Sequence, residues 1–297
     1  MRKIFVVFPV HNRVRSTLGF LESMARQTYT NFQVVICDDG STDGTSEVLA
    51  REYPHVLVIP GTGNLWWTGG INRCVSHVLQ VAADDDYVLT INNDVTVPEW
   101  YLAQKVARAQ EYPGSIIGSL CVYMDKPDQI ETSGFVMDLS TGTGRSLTKS
   151  GDQRSPQYRG MEQVTYVPGK GVLIPVRVYK EIGIYDEARL PHYHADADFC
   201  IRASKAGVPV FIDFDSVVFS DVNIKNMSLP DRDVTLRGML NTFRGPYSLN
   251  NFAVLNHFAV KHFPSRRRRF LLAYYARVVG GMALRYMRLR FNQWLRR

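Results

Sequence analysis

Short apolar runs alternate with segments of helical period through residues 3–91, and this alternation constrains the fold more than any other feature. The strand-like runs are residues 3–10, 33–37, 56–59 and 87–91, and the helix-like segments between them are 14–25, 41–51 and 70–81. This rhythm predicts a mostly parallel central sheet flanked by helices, an α/β fold. In such sheets ligands bind beyond the carboxyl ends of the strands, so the residues that follow each strand are the candidates for chemistry.

The second half of the chain predicts a different extension of that sheet. Gly, Ser and Thr become frequent at residues 141–151, and the strand-like pieces are 130–137, 164–167 and 171–176. This pattern favours a mixed or antiparallel extension over a second parallel unit. A helix is expected over 196–206, followed by a pair of strands near 208–213 and 216–219.

The charge of the chain divides at Asp233, which is the last acidic residue. The 297 residues carry 35 Lys and Arg and 28 Asp and Glu, and 13 of the basic residues follow position 233. The two parts therefore have net charges of 22 − 28 = −6 and +13. We expect one large domain over residues 1–233 and a basic helical region over 234–297.

The cysteines and the apolar runs indicate a cellular compartment. The four cysteines are scattered without the spacing of a zinc site, which predicts buried free thiols in a reducing cytoplasm. The first apolar run is too short for an export signal, and no run approaches the roughly 18 apolar residues of a membrane-spanning helix. We therefore expect a cytoplasmic protein that does not cross a bilayer.

Polar residues follow the first strands of the predicted sheet. The first strand ends in PVHNR (9–13) and the second in CDDGSTDGT (37–45), where a carboxylate can accept hydrogen bonds from a base or a ribose. A tight turn and helix N-cap is the alternative reading of the second motif. With GNLWWTGGIN (63–72) and Asn92-Asn93-Asp94, these motifs resemble family-two glycosyltransferases of the GT-A fold, in a rhamnosyltransferase-like branch, over about residues 1–225.

The resemblance implies an inverting glycosyltransferase that moves a sugar from a UDP, GDP or dTDP donor to an acceptor hydroxyl. The setting that it implies is bacterial-type assembly of a cell-surface polysaccharide or glycolipid, with a carbohydrate or lipid-linked acceptor. The donor-binding residues that it implies are Pro9, His11, Asn12, Arg13, Asp38, Asp39, Asn64, Trp67, Gly69, Asn72 and Asn93.

The family's Asp-x-Asp motif implies a divalent metal in this chain. A hard cation that bridges the phosphates stabilises the leaving group, and oxygen ligands suit Mg²⁺ or Mn²⁺. The metal ligand is then Asp94, while Asn92 replaces the first aspartate of the motif. The family often has a histidine ligand near the position of Asp221, which is the second candidate.

A second implied constellation lies just before the helix expected at 196–206. By the family's pattern Asp196 is the catalytic base that deprotonates the acceptor. A single base without a second nucleophile suits one displacement with inversion. The candidates for contact with the acceptor or a phosphate are Lys170, His192, His194 and Asp198, with a helix cap as the alternative for Asp198 and a solvated loop for Lys170.

Two other function classes stay open. His192, His194 and Asp196 match five of the six positions of the His-x-His-x-Asp-His motif of metallo-hydrolases. The other class is a catalytically weak module that only binds nucleotide sugars, because Asn92 and Ala195 stand where the family has acids.

Residues 261–297 predict a basic amphipathic helix. At 100° per residue, arginines fill an arc of about 120° beside an apolar arc of about 100°. The arginines are Arg266, Arg267, Arg277, Arg285, Arg288 and Arg296, and the apolar residues are Leu271, Leu272, Tyr275, Val279, Met282, Tyr286 and Leu289. We expect peripheral binding to an anionic membrane on its cytoplasmic face, and no nucleic acid partner. The alternative is packing on the chain's own domain or on a second subunit of a homodimer, and Gly280-Gly281 is a candidate break.

Overall fold

A computed structural model describes residues 2–221, 236–245 and 248–295. The chain divides into two compact units, and the expected boundary at 233 lies outside the described residues. The first unit comprises Met1–Val136, Arg145–Pro191 and Ala195–Val222. The second comprises Met137–Gly144, His192–His194 and Asn223–Arg297, so two short earlier segments belong with the basic C-terminal region.

A mixed sheet forms the first unit, and its strands β4, β1, β2 and β3 are parallel neighbours in that order. On the other side of β4 the order continues with β11, β6, β12 and β10, where β11 is antiparallel to both of its neighbours. The strands are β1 (Ile4–Val10), β2 (Phe32–Asp38), β3 (Leu57–Pro60), β4 (Tyr87–Thr90), β5 (Val95–Thr96), β6 (Ile116–Tyr123), β7 (Ile130–Thr132), β8 (Phe135–Asp138), β9 (Thr143–Ser146), β10 (Met161–Gln163), β11 (Val172–Pro175) and β12 (Val210–Ser220). The expected parallel sheet with a mixed extension is confirmed.

Helices flank this sheet because their apolar faces are buried against it. The helices of the first unit are α1 (Val14–Ala25), α2 (Thr45–Glu52), α3 (Trp66–Val81), α4 (Tyr101–Glu111), α5 (Val176–Ile182) and α6 (Ala195–Lys205). Helix α3 approaches β1 closely at Gly70, where an added Cβ would lie 2.5 Å from Cβ of Pro9. The four cysteines are free and buried, as expected.

Several expected boundaries are wrong. The run 130–137 is divided between β7 and β8, the strand expected at 164–167 lies at Met161–Gln163, and α3 begins at Trp66 and not at 70. Two other differences have a clear physical cause. Helix α2 begins at Thr45 and not at 41, because Gly44 has a positive φ of 85° and Asp43 accepts from the Thr45 backbone N–H. The expected strand pair at 208–219 is the single strand β12 with a bulge between Asp213 and Val217. The polar residues that suggest a turn there bond within the bulge, since Ser216 Oγ donates to the buried Asp213 carboxylate at 2.6 Å.

The second unit is helical among its described residues, apart from its share of the β8–β9 hairpin. Its helices are α7 (Leu236–Thr242), α8 (Phe252–His262) and α9 (Arg267–Leu295), with a 3-10 turn at Pro264–Arg266. Helix α8 is capped by Asn251, whose Oδ1 accepts from two backbone N–H groups. Helix α9 continues through Gly280-Gly281, so the candidate break is not one. Within the described part of the chain, no helix has the length and apolar character needed to cross a membrane.

Candidate active site

The loops that follow β1 and β2 are joined by hydrogen bonds. His11 Nδ1 lies 2.7 Å from the carbonyl oxygen of Asp39. The backbone N–H of Asn12, a residue with a positive φ of 52°, donates to Ser41 Oγ at 3.0 Å. The side-chain oxygen of Asn12 accepts from the Thr42 backbone N–H at 2.7 Å. These predicted donor-binding residues therefore lie together at the carboxyl edge of the sheet.

Both aspartates after β2 also organise their own loops. The carboxylate of Asp38 accepts from the Ser41 backbone N–H at 2.9 Å and from Ser46 Oγ. Asp39 accepts four backbone N–H groups from residues 62–66, the closest at 2.7 Å. The motif therefore forms a turn after β2, as the alternative interpretation expected. Asp39 also holds the loop that leads into α3.

Trp67 connects that loop to the predicted metal motif. Its Nε1–H donates to Asn92 Oδ1 at 3.0 Å. Its ring lies against Gly169, where an added Cβ would be 2.5 Å from the ring. The exposed Asn64 accepts from the Trp66 indole at 2.9 Å. The indole of Trp67 therefore joins the ends of β4 and of the 168–171 loop.

Three other residues predicted to bind the donor are buried. The amide of Asn72 bonds the backbone of Tyr185 in both directions and also donates to Glu187 at 2.7 Å. The amide nitrogen of Asn93 donates to Thr17 Oγ1 at 3.0 Å. Gly69 packs against Leu65, which an added Cβ would approach to 3.2 Å. These contacts position α3 and the end of β4.

Asp94 lies between a basic side chain and the end of β12. Its Oδ2 forms an ion pair with Arg13 Nη1 at 2.8 Å, and its backbone oxygen accepts from the Asp221 N–H at 2.9 Å. Its Oδ1 is buried without a hydrogen-bond partner among the described residues, and such an atom fits a hard cation. The same residues form no group of three or more His, Cys, Asp or Glu side chains that could hold a metal. Asp94 Oδ1 is therefore one anionic oxygen that could hold a metal, and the neighbouring Asp221 lies just after β12.

Asp196 occupies the first turn of α6 and is partly exposed. Its Oδ2 accepts from the Gly169 backbone N–H at 3.2 Å, and its Oδ1 accepts from Ala197 N–H at 2.8 Å. The loop that holds Gly169 also contacts Trp67. A continuous set of contacts therefore joins the predicted base to the predicted metal motif.

Asp198 requires a correction. Its side chain is fully buried and pairs with Arg202 Nε at 2.9 Å. Arg202 also donates to the carbonyl oxygens of Ile182 and Ile184, at 2.6 and 2.8 Å. A side chain with no exposed surface cannot meet an acceptor or a phosphate, so the predicted contact is wrong and the residue is structural.

Lys170 is held by a residue that the sequence motifs did not indicate. Its Nζ lies 2.6 Å from Glu131 Oε1 and donates to Ser220 Oγ at 3.0 Å, so the solvated-loop reading is wrong. Burial lowers the pKa of Lys170, but the nearby Glu131 carboxylate and, further off, Cys121 and Asp94 outweigh it and raise that pKa. Gly171 seats the loop, since an added Cβ there would lie 2.4 Å from the Tyr101 hydroxyl. The available signal for Glu131 was its position as the acidic residue of the strand-like run 130–137.

The two predicted histidines belong to the second unit. The ring of His192 packs edge-on against Tyr193, and His194 Nε2 lies 3.0 Å from the Leu249 carbonyl oxygen. No metal-holding group that includes them occurs in the described residues. The geometry thus lacks the ligand set of the metallo-hydrolase alternative.

Known proteins similar to this chain agree with this geometry. The sequence profile of Glycosyl transferase family 2 matches residues 5–183. An N-acetylglucosaminyl-diphospho-decaprenol L-rhamnosyltransferase of Mycobacterium tuberculosis is 27% identical over 205 residues, 63% of this chain and 66% of that protein. The succinoglycan biosynthesis protein ExoA of Rhizobium meliloti is 28% identical over 211 residues, 70% of this chain and 59% of that protein. The chain therefore spans no more than about two thirds of these relatives.

Solved structures share the fold. S. aureus TarS 1-349 superposes with a TM-score of 0.55 at 16% identity, over 97% of this chain and 89% of that chain. GalNAc-T7, solved with UDP, GalNAc and Mn²⁺, gives a TM-score of 0.58 at 14% identity, over 86% of this chain and 50% of that chain. The expected GT-A fold is confirmed, and the metallo-hydrolase alternative is wrong. The family profile covers more than half of the sequence, and the chain belongs to glycosyl transferase family 2.

Proposed function

We propose that this chain transfers a sugar, with inversion, from a nucleoside-diphosphate donor to an acceptor hydroxyl. The observation that supports this most is the series of contacts from Asp196 through Gly169 and Trp67 to Asn92. It holds a partly exposed carboxylate and the diphosphate motif of the family at one edge of the sheet. A module that only binds nucleotide sugars has no need of that carboxylate.

Asp196 acts as the base in this proposal. A sugar hydroxyl is a weak acid, so its proton must leave as the oxygen attacks the anomeric carbon, and correct placement matters more than basicity. The Gly169 N–H fixes one carboxylate oxygen at 3.2 Å. The attack breaks the bond to the diphosphate, and a single displacement of this kind inverts the anomeric centre.

The leaving diphosphate lies near Asp94 in this proposal. Asp94 Oδ1 would hold Mg²⁺ or Mn²⁺, with Asp221 as the neighbouring candidate ligand. A bound cation would neutralise charge on the diphosphate as the glycosidic bond breaks. The loops that carry His11, Asn12 and Asp38 would receive the nucleoside, while Asn72 and Asn93 position α3 and β4 without touching the donor.

The acceptor and the sugar are inferred from the relatives. One is named as a rhamnosyltransferase acting on a decaprenol-linked substrate, and another as a succinoglycan biosynthesis protein. We propose a deoxyhexose donor of the UDP, GDP or dTDP type and a lipid-linked or carbohydrate acceptor. The product would enter a cell-surface polysaccharide or glycolipid.

Asp196→Asn tests the catalytic proposal. Transfer should fall by at least about 100-fold, the usual contribution of a general base, while donor affinity stays within a factor of two or three. Asp84→Asn is the matched control, because Asp84 is exposed and pairs with the surface residue Lys180. Product formation with the rhamnosyl, glucosyl and mannosyl donors is measured beside calorimetric donor binding. Unchanged transfer, or an equal loss of transfer and binding, contradicts the role of Asp196.

Helix α9 supports a peripheral membrane location, through a face that overlaps the predicted one only in part. Most of the predicted apolar arc is half-buried, as at Tyr275, whose ring lies 5.8 Å from Phe252. A set that shares only Leu272 and Val279 with the predicted arc is 52–73% exposed and spans an arc of about 140° at 100° per residue. Its members are Leu272, Val279, Leu284, Met287 and Phe291. Arg277 and Arg288 border this exposed face, Arg269 and Arg290 lie within it, and no acidic residue follows Asp233. We propose that this face enters an anionic membrane on its cytoplasmic side.

Co-sedimentation of the full chain with vesicles tests this location. Two double variants should each weaken binding to anionic vesicles about fivefold or more. Leu284→Ser with Met287→Ser removes apolar contact with the membrane. Arg288→Gln with Arg290→Gln removes charge attraction worth roughly 1 kcal/mol per basic residue. Binding by the wild type should weaken at high salt. Val81→Ser is the control, because Val81 is an equally exposed apolar residue at the end of α3. Binding that ignores lipid charge and salt contradicts the proposal.

A further inference from the structure

Lys170 is fixed by residues from two other parts of the sheet. Glu131 belongs to β7 and Ser220 ends β12, and both bond the ammonium group of Lys170, at 2.6 and 3.0 Å. The side chains of Lys170 and Glu131 are only 22% and 16% exposed. These two bonds hold the ammonium group of Lys170 in one position.

The end of β12 that bonds Lys170 adjoins Asp94. Ser220 pairs with Val95, the residue directly after Asp94, and the N–H of Asp221, just after β12, donates to the Asp94 backbone oxygen at 2.9 Å. The Asp94 carboxylate in turn holds Arg13. Two cationic side chains therefore accompany the one acidic residue of the predicted metal motif.

The polar groups of this cluster are not all satisfied by the protein. An ammonium group has three N–H donors, and two acceptors bond Lys170 Nζ among the described residues. In the same part of the chain, Glu131 Oε2 and Asp94 Oδ1 are buried without a hydrogen-bond partner. Unmet groups of this kind are costly. A phosphate oxygen can accept the remaining N–H of Lys170, whereas the two carboxylate oxygens need a hydrogen-bond donor or a cation. The charges of Asp94, Glu131, Arg13 and Lys170 sum to zero, so the cluster has no excess negative charge to oppose a diphosphate.

We propose that Lys170, positioned by Glu131 and Ser220, is a protein-borne cation that contacts the nucleoside diphosphate. The inference rests on the proposed function and deepens it. Part of the charge stabilisation that a metal gives in a two-aspartate motif then comes from the chain itself, so part of the binding of a nucleoside diphosphate needs no metal.

Calorimetry on the full chain tests this with UDP against UMP, and with dTDP against dTMP, in EDTA and in Mn²⁺. The readout is the ratio of diphosphate to monophosphate affinity, which isolates the contribution of the β-phosphate. In EDTA, Lys170→Met should lower this ratio about tenfold or more, the usual scale of a charge-assisted hydrogen bond. Lys170→Arg should keep most of it. Lys180→Met is the matched control, because Lys180 forms an exposed ion pair with Asp84 and should leave the ratio unchanged.

Glu131→Gln separates this role from a structural one. It keeps an oxygen acceptor for Lys170 and removes a negative charge near the diphosphate, so UDP affinity should stay equal or rise. A structural ion pair predicts that Lys170→Met and Glu131→Gln lower the melting temperature alike and leave the affinity ratio intact, and that result overturns the inference. Complete loss of wild-type UDP and dTDP binding in EDTA overturns it as well. If the wild type binds no nucleotide even with Mn²⁺, the proposed function itself has failed.

Discussion

The stability of the fold should depend on pH through Lys105, a lysine in the core. This lysine of α4 is fully buried, and its Nζ donates to the carbonyl oxygens of Ile117 and Gly118 on β6, at 3.1 and 2.7 Å. Burial lowers its pKa from 10.5 to about 7, against the opposing effect of the Asp213 carboxylate. A group with this shift makes the stability of the fold depend on pH.

The sign follows from the protons that each state binds. Between pH 7 and 10.5 the unfolded chain keeps the Lys105 proton and the folded chain releases it, so stability rises with pH. The slope is about 1.4 kcal/mol per pH unit, so the full shift of 10.5 − 7 = 3.5 units corresponds to roughly 5 kcal/mol. This cost is absent above pH 10.5 and complete below pH 7.

The assay is denaturant unfolding between pH 7 and 8.5, with Lys105→Met beside the surface control Lys180→Met. The window ends below 9.0, the ordinary pKa of a thiol. Because burial raises the pKa of Cys37 to about 12, ionisation of this thiol in the unfolded chain lowers the stability at higher pH. The free energy of unfolding of the wild type and the control should rise by roughly 2 kcal/mol across the window. Lys105→Met should lack this rise, because it has no Lys105 proton to release. If the free energy of unfolding of the wild type does not change with pH, or changes equally in Lys105→Met, then Lys105 is not a neutral buried lysine.

Three further substitutions separate roles at the site. Asp94→Ala should abolish the enhancement of UDP binding by Mn²⁺, whereas Asp38→Ala should lower UDP binding equally with and without the metal. Calorimetry measures both effects, and a wild type whose UDP binding is not enhanced by Mn²⁺ contradicts the role of Asp94. Asp198→Asn should destabilise the fold by about 3 kcal/mol, because it leaves Arg202 without its buried charge partner, while activity per folded molecule is retained. Denaturation and rate measurements check this, and a loss of activity in fully folded Asp198→Asn would return Asp198 to the site.

The strands of the first half could be predicted because each is a continuous apolar run between polar residues. The boundaries of elements were harder to predict where a polar side chain forms its hydrogen bond with a residue close in the sequence. Asp213 and Ser216 suggest a turn, yet they bond each other inside one bulged strand. Gly44 and Asp43 similarly delay α2, although residues 41–43 suit a helix start equally well.

The candidate site was predictable in its location more than in its contacts. The motif after β4 predicted Asp94, because a parallel sheet brings strand ends to one edge. The family's acidic pattern before a helix predicted Asp196, and both roles stay predictions. The motifs did not identify Glu131, whose partner Lys170 is 39 residues away and is brought to it only by the sheet. They also could not show that Asn72 is fully committed to Tyr185 and Glu187, since that requires the position of the 185–187 loop.

The contacts of Asn92 give a physical reason for its departure from the two-aspartate motif. Its amide oxygen accepts the Trp67 indole N–H at 3.0 Å, a contact that needs an acceptor but no charge. An aspartate there would place a second carboxylate near Asp94, and a diphosphate would then meet more negative charge unless a metal intervened. With a neutral side chain at 92, the charges of Arg13 and Lys170 balance those of Asp94 and Glu131 within this cluster. We therefore propose that the neutral Asn92 and the partly buried Lys170 belong to one charge arrangement.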